Sequence, residues 1–259
     1  MKISDQQDKI ISMYLVENLS IRNISDILTC SCSGVRRILN KNNVPMRNKC
    51  DSLNLCPKSF TEEEFDIIYG TILGDGHVTK RRGPDGECQL SVGHGYKQIE
   101  YIKWKSLVLD RFVSGKVYPL SHFLKSTNKT YITFNFVTRK SSLFTSLRED
   151  FYSESKKILP HNFSDKINPR SLAVWYMDDG HKYKGKNNIE LHTQCFSHND
   201  QCRIVETLKE KFCIESYIRK ISTGKEIIFV PSQSCKKFIS IVDSYVVPSL
   251  KYKTLLREN

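Results

Sequence analysis

The sequence predicts an α+β fold: a pseudo-twofold αββαββα repeat with two antiparallel sheets, preceded by a small all-α domain. Three observations carry this expectation. Asp-Gly-His closes an apolar run twice, in "ILGDGHVTK" (72–80) and in "YMDDGHKYK" (176–184). Each closure is followed by the same succession of strand-like and helix-like segments. Residues 1–50, by contrast, read as three short helices.

In the first helix, "QDKIISMYLVENL" places Ile10, Met13, Tyr14 and Leu15 at helical spacing. "SIRNISDIL" follows with Ser20 as N-cap, and Ser33 can cap "GVRRILNKNN". Two short helices across a tight turn, the second carrying Arg36, Arg37 and Lys41, have the form of a helix-turn-helix. Between Gly34 and Lys49 there are five basic residues and no acidic one. Arg47 belongs to the basic tail "VPMRNK", where Pro45 bars a continuing helix. This charge favours DNA binding over a cap that merely packs on the rest. Residues 51–59 are then a polar linker stopped by Pro57.

Two similar halves, 60–160 and 161–259, make up the remainder. Each opens with the Asp-Gly-His helix. The first strand pair is "HVTKRR" with "ECQLSVG", joined across Gly83–Gly86, or "HKYKGK" with "NIELHTQCF". A helix comes next, "QIEYIKWKSLVLDRF" or "NDQCRIVETLKEKF". The second pair is "KVYPLSHF" with "KTYITFNFV", or "IESYIRKI" with "KEIIFVP", and closing helices lie near 140–150 and 232–244. In "YITFNFV", Ile132, Phe134 and Phe136 share one face while Tyr131, Thr133 and Asn135 share the other. In "IELHTQC", Ile189, Leu191 and Thr193 oppose Glu190, His192 and Gln194. One greasy and one hydrogen-bonding face is the pattern of antiparallel sheets packed on helices.

The chain has 259 residues, 40 Lys+Arg against 28 Asp+Glu, and a net charge of +12. Such an excess suggests a polyanionic partner, double-stranded DNA first. On that footing the sheets form a concave DNA-binding surface. Its contacts in the first half are His77, Thr79, Lys80, Arg81, Arg82, Gln89, Thr133, Asn135 and Arg139; in the second they are His181, Lys182, Lys184, His192 and Arg219. No run approaches the roughly 18 apolar residues of a membrane span. The N-terminus "MKISDQQDKI" lacks the basic-then-apolar order of a signal peptide, so a soluble intracellular protein is expected, its compartment left open. Nine cysteines include no CxxC pair, which argues against a zinc site and for reduced thiols.

The carboxylates pose the sharpest question. A helix C-terminus carries about half a negative charge, and an acid there is disfavoured by ~0.3–1 kcal/mol. Asp75 stands at one such end; Asp178 and Asp179 crowd another. The plainer alternative is an ordinary Asp-Gly turn with Gly76 and Gly180 as left-handed C-caps. Two occurrences in matching places instead call for a cation. Mg²⁺ takes oxygen ligands and is held by one or two carboxylates with substrate phosphates. Adjacent helix ends would let Asp75 and Asp179 share it, in two or more ions, with Gly74 and Asp178 beside them. Gly70 and Gly74 allow the helices to approach closely, with Ala173 as the small surface opposite.

"IIYGTILGDGHV" and "SLAVWYMDDGHK" resemble the two motif helices of the LAGLIDADG homing endonucleases in their single-chain form. The resemblance runs from Phe60 to the C-terminus. Motif alignment implies that Asp75 and Asp179 are the catalytic acids and that Asp178 packs in support. "SKKILP" and "LKYK" resemble a subgroup's basic motifs, which implies active-site roles for Lys157 and Lys253; Gln194 in "HTQCF" matches a polar residue near the active-site waters. Tyr69 and Val174 depart from the family by being larger than usual. The resemblance implies a monomer that makes staggered double-strand breaks at a long DNA site. Rival readings are an intron maturase that binds RNA and a regulator that binds DNA without cutting. "YMDD" also occurs in polymerases, but here it continues a helix rather than forming a hairpin turn.

Overall fold

The computed structural model describes residues 6–17, 19–46, 56–80, 86–182 and 186–256. Arg47, Arg81, Arg82 and Lys184 lie outside them, as do most of the expected linker and the Gly83–Asp85 loop. The chain divides into two compact units, Met1–Leu55 and Cys56–Asn259.

In the first unit, helices α1 (Gln7–Leu15), α2 (Ile21–Ile27) and α3 (Cys32–Lys41) enclose Ile10, Met13, Tyr14, Ile24, Val35, Ile38, Leu39 and Val44. Leu15 departs from the expected stripe and faces solvent. Ser20 caps α2 as expected, accepting from Asn23 N. The cap of α3 is Ser31 rather than Ser33, because it is the Ser31 hydroxyl that accepts from Gly34 N, starting the helix earlier. α3 buries Val35, Ile38 and Leu39 and turns Arg36, Arg37 and Lys41 outward, around a shallow depression that also includes Ser33 and Asn40.

The second unit is the αββαββα plan written twice. The first copy comprises α4 (Glu62–Leu73), β1 (His77–Val78), β2 (Leu90–Gly95), α5 (Ile99–Val108), β3 (Tyr118–Leu124), β4 (Lys129–Val137) and α6 (Ser142–Phe151). A short hairpin, β5 (Tyr152–Ser153) and β6 (Lys156–Lys157), and a single turn, α7 (Phe163–Lys166), lead to the second copy. That copy comprises α8 (Pro169–Asp179), β7 (Gly180–Lys182), β8 (Ile189–Leu191), α9 (His198–Phe212), β9 (Tyr217–Lys220), β10 (Glu226–Val230) and α10 (Ser232–Val242). The sheets run β1-β2-β4-β3 and β7-β8-β10-β9, antiparallel throughout. This shared strand order is the repeat made visible.

Capping sets both motif helices. Thr61 and Glu64 form a reciprocal capping box on α4, and Asn168 and Ser171 do the same on α8, with Pro169 at its first turn. The two helices pack directly on one another. A Cβ on Gly70 would lie 2.8 Å from Val174 Cβ and press on the Ser171 carbonyl. Ser171 and Val174 therefore meet the glycine, in place of the expected Ala173. The larger Val174 is accommodated because Gly70 has no side chain.

Several strands differ from expectation. β1 stops at Val78, although Thr79 N still donates to Gln89 O. β8 ends at Leu191, so His192 and Gln194 leave the sheet. Glu190, expected on the hydrogen-bonding outer face, is buried because Arg219 from the neighbouring ribbon pairs with it. Ile132 shares a face with buried Phe136 but is itself exposed, since the β3–β4 ribbon extends past the helices beneath it.

Candidate active site

The two motif helices end side by side, and a lysine answers each end. Lys157 on β6 donates to Gly74 O at 2.8 Å, with Gly76 O at 3.4 Å. Lys253, from the short 3-10 segment Pro248–Lys253, donates to Met177 O at 2.6 Å and to Gly180 O at 2.9 Å. These ammonium groups satisfy carbonyls that a helix C-terminus leaves unpaired and offset its negative end. The acids thus stand in a field already made more positive.

Neither Asp-Gly turn is a left-handed cap. Gly180 has φ −81°, and the glycines with positive φ among the described residues are Gly115 and Gly224. The glycines at 76 and 180 serve close approach instead. A Cβ on Gly76 would lie 2.6 Å from Thr71 O, and one on Gly180 would run into the Tyr176 ring.

Asp178 turns inward and is fully buried. Its oxygens accept from Lys105 Nζ at 2.8 and 2.9 Å, from Tyr101 OH at 2.8 Å and from Asp75 N at 3.3 Å. Lys105 is also buried, with His94 Nε2 3.3 Å from its ammonium. The other His94 nitrogen, Nδ1, stands 3.4 Å from Asp75 Oδ2. That contact is long for a hydrogen bond, and Nδ1 makes no other. Asp75, His94 and Asp178 bring ligand atoms within 4.8 Å of one another, a spacing open to a metal. The Lys105 ammonium already neutralises that group from within, and a divalent cation there would be repelled by it.

The two acids have opposite electrostatics. Burial pushes the Asp75 carboxyl up, but His94, Lys105 and Lys157 together hold it below the usual carboxylate range. Its side chain stays 42% exposed. Asp179 is pushed up to about 7, first by burial and then by the charges of Asp75 and Asp178, which Lys157 and Lys253 only partly offset. Lys253 is lowered by burial against the pull of the three carboxylates. Asp179 therefore feels the charge of Asp75 across the helix ends.

Asp179 opens on a cleft of about 580 Å³ whose lining includes Gly74, Lys157, His192, Gln194, Cys195 and Lys225. Gln194 Nε2 lies 3.0 Å from His192 Nδ1. His77 and His181 take matching positions at the starts of β1 and β7, opposite Ser91 and Glu190. Thr133 and Asn135 lie on the outer face of the first sheet, where Asn135 Nδ2 donates to Thr133 Oγ1 at 2.8 Å. Lys80 is exposed and Lys182 half-buried. Gln89 N donates to Thr79 Oγ1 at 3.2 Å. Arg139 turns back to donate to Arg111 O at 2.8 Å, and Arg219 stacks 4.3 Å over the Phe229 ring.

Sequence reading missed His94, Tyr101 and Lys105. The signal was present: Leu90, Val92 and His94 alternate onto one face, and Lys105 follows buried Tyr101 by one helical turn.

Comparison with known proteins decides the kinship. The profile of the LAGLIDADG DNA endonuclease family matches residues 65–238. The chain belongs to this family. Its LAGLIDADG helices are α4 and α8. Cytochrome b mRNA maturase bI2 of Saccharomyces cerevisiae is 30% identical over 234 residues, 83% of this chain and 53% of that protein. The bI2 maturase of Debaryomyces hansenii is 29% identical, covering 76% of this chain and 75% of its own. Protein RecA of Mycolicibacterium flavescens is 26% identical over 78% of this chain and 48% of its own. The chain thus spans about half the length of the Saccharomyces and RecA relatives. Among solved structures, the homing endonuclease I-WcaI bound to its DNA recognition sequence superposes with a TM-score of 0.75 at 24% identity, over 84% of this LAGLIDADG chain and 98% of its own. That likeness establishes the fold. Among the described residues no helix is long and apolar enough to cross a membrane.

Proposed function

We propose that this LAGLIDADG protein is a site-specific, metal-dependent DNA endonuclease that cuts both strands of a long target as a monomer. The observation that carries the reading is that Asp179 feels the charge of Asp75 across paired helix ends, each end capped by a lysine. An acid raised to about 7 by burial and like charge is one that a cation would relieve. The donors are carboxylate oxygens, the chemistry Mg²⁺ prefers. Asp75 and Asp179 would hold the metal, in two or more ions; the Gly74 carbonyl and Asp178 are already engaged by Lys157 and Lys105. Held by these carboxylates, Mg²⁺ would supply Lewis acidity towards a phosphodiester and an activated water.

The chain's own groups do the rest. Lys157 and Lys253, at the helix ends beside the acids, would stabilise negative charge building on the phosphoryl oxygens. Gln194, next to His192 in the cleft, would orient the water. The outer faces of both sheets would meet the major groove, with His77 and His181 at the edge nearest the acids. Residues 1–50 would add a second contact through Arg36, Arg37, Lys41 and Arg47, tethered by a linker over 51–59 to the repeats 60–160 and 161–259. Incubating the chain with a randomised DNA library and Mg²⁺, then sequencing the ends, tests this. Recurrent staggered cuts at one sequence are expected; intact DNA at every metal concentration would contradict it.

The 30% identity to a yeast mRNA maturase favours one second reading, an RNA-binding splicing cofactor. Tight binding to an intron RNA with no cutting of DNA would favour it.

A further inference from the structure

The two sheets share a strand order but not an outer surface. In the first, β3 and β4 pair continuously from Tyr118↔Asn135 to Leu124↔Lys129. Phe136 points into the core, so residues in phase with it face the helices. The opposite face carries Tyr118, Leu120 and Leu124 on β3, and Tyr131 on β4. These are 41%, 44%, 48% and 44% exposed. Among them sit His122, Thr133 and Asn135, with His122 Nε2 2.9 Å from Thr133 Oγ1.

The second sheet treats its apolar groups differently. On the equivalent face Ile227 is buried, Phe229 is covered by the Arg219 guanidinium, which also pairs with Glu190, and Tyr217 is exposed, its ring 5.2 Å from that of Phe229. Apart from Tyr217, this surface is polar and closed over, and it exposes no aliphatic side chain. The other leaves aliphatic and aromatic groups bare among hydrogen-bonding neighbours, on the same side of the sheet as His77.

Base edges in the major groove offer one apolar feature, the 5-methyl of thymine. We propose that the β3–β4 ribbon reads thymine methyls through Leu120, Leu124, Tyr118 and Tyr131, in the arm of the target under the first repeat alone. The second repeat, whose one exposed ring on this face is Tyr217, reads its arm mainly through polar and charged groups. This inference rests on the DNA-binding reading above, and continuity with the catalytic edge places the ribbon on the same duplex.

The test uses the full chain and its selected target, with binding measured in EDTA. Thymines are replaced by deoxyuridine in one arm at a time. Loss of each buried methyl should weaken binding about fourfold, in one arm and not the other. Leu120→Ala combined with Leu124→Ala changes exposed side chains only, and should bring the thymine-to-deoxyuridine ratio in that arm towards one. Equal affinity for both targets in both arms, which a protein-docking ribbon would give, overturns the proposal. So does discrimination that persists undiminished in the double variant. A wild-type chain that fails to bind even the thymine-containing target overturns the DNA-binding reading itself, and this proposal with it.

Discussion

Asp75 and Asp179 occupy equivalent places in two copies of one topology, yet their surroundings are opposite. The strand registers pair His77 with Ser91 and His181 with Glu190, so His94 in the first repeat corresponds to Thr193 in the second. A buried histidine and the buried Lys105 stand behind Asp75. Asp179 has no such support, and its carboxyl rises to about 7 while that of Asp75 falls. The repeat keeps the acids in equivalent places; the side chains behind them decide which one is less fully compensated. In this account the second acid depends more on an external cation.

The comparison can be broken at its strongest point, the internal cation. Lys105→Met leaves the Asp178 carboxylate buried without its partner, which should cost roughly 3–5 kcal/mol in the denaturation of the metal-free repeat unit. Lys105→Met combined with Asp178→Leu should recover most of that loss. A single variant as stable as wild type would mean that the pair contributes nothing. Replacing the capping lysines probes the two helix ends in turn. Lys157→Met and Lys253→Met should each slow single-turnover cutting by roughly 10²-fold, by analogy with loss of one transition-state donor. Unchanged rates would remove the lysines from the site.

The last test concerns pH. The Asp179 carboxyl is raised in the folded state from 3.8 to about 7. The folded protein therefore holds that proton more tightly than the unfolded chain, and the stability it contributes is present at low pH and lost as pH rises through about 7. In EDTA, Asp179→Asn should escape this loss. Its melting temperature relative to wild type should climb between about pH 5 and about pH 8. A flat difference would contradict the raised carboxyl; at Asp75, whose carboxyl is lowered, the wild type should lose stability relative to Asp75→Asn only as pH falls below 3.8.

Much of the architecture was legible because periodicity and caps are local. Ser20 and the inward alternation of Ile189 and Leu191 needed only neighbouring residues, and Gly70 announced close helix packing. The site was legible in its acids, since two carboxylates at helix ends conflict with the dipole and demand explanation. Its internal cation was not. A lysine within a helix reads as surface, and the partner that holds Lys105 is 73 residues away. Glu190 misled for the same reason: its burial depends on Arg219 from another ribbon. Hairpin β5–β6 gave no periodic signal because each strand has only two residues, yet it delivers Lys157 to the helix end.

Strand-resolved cutting and binding by Asp75→Asn and Asp179→Asn, on a target recovered from the randomised library, test the central claim most directly. The account predicts that each substitution abolishes double-strand breaks while leaving DNA affinity in EDTA largely intact. Double-strand cutting retained by either variant would contradict it.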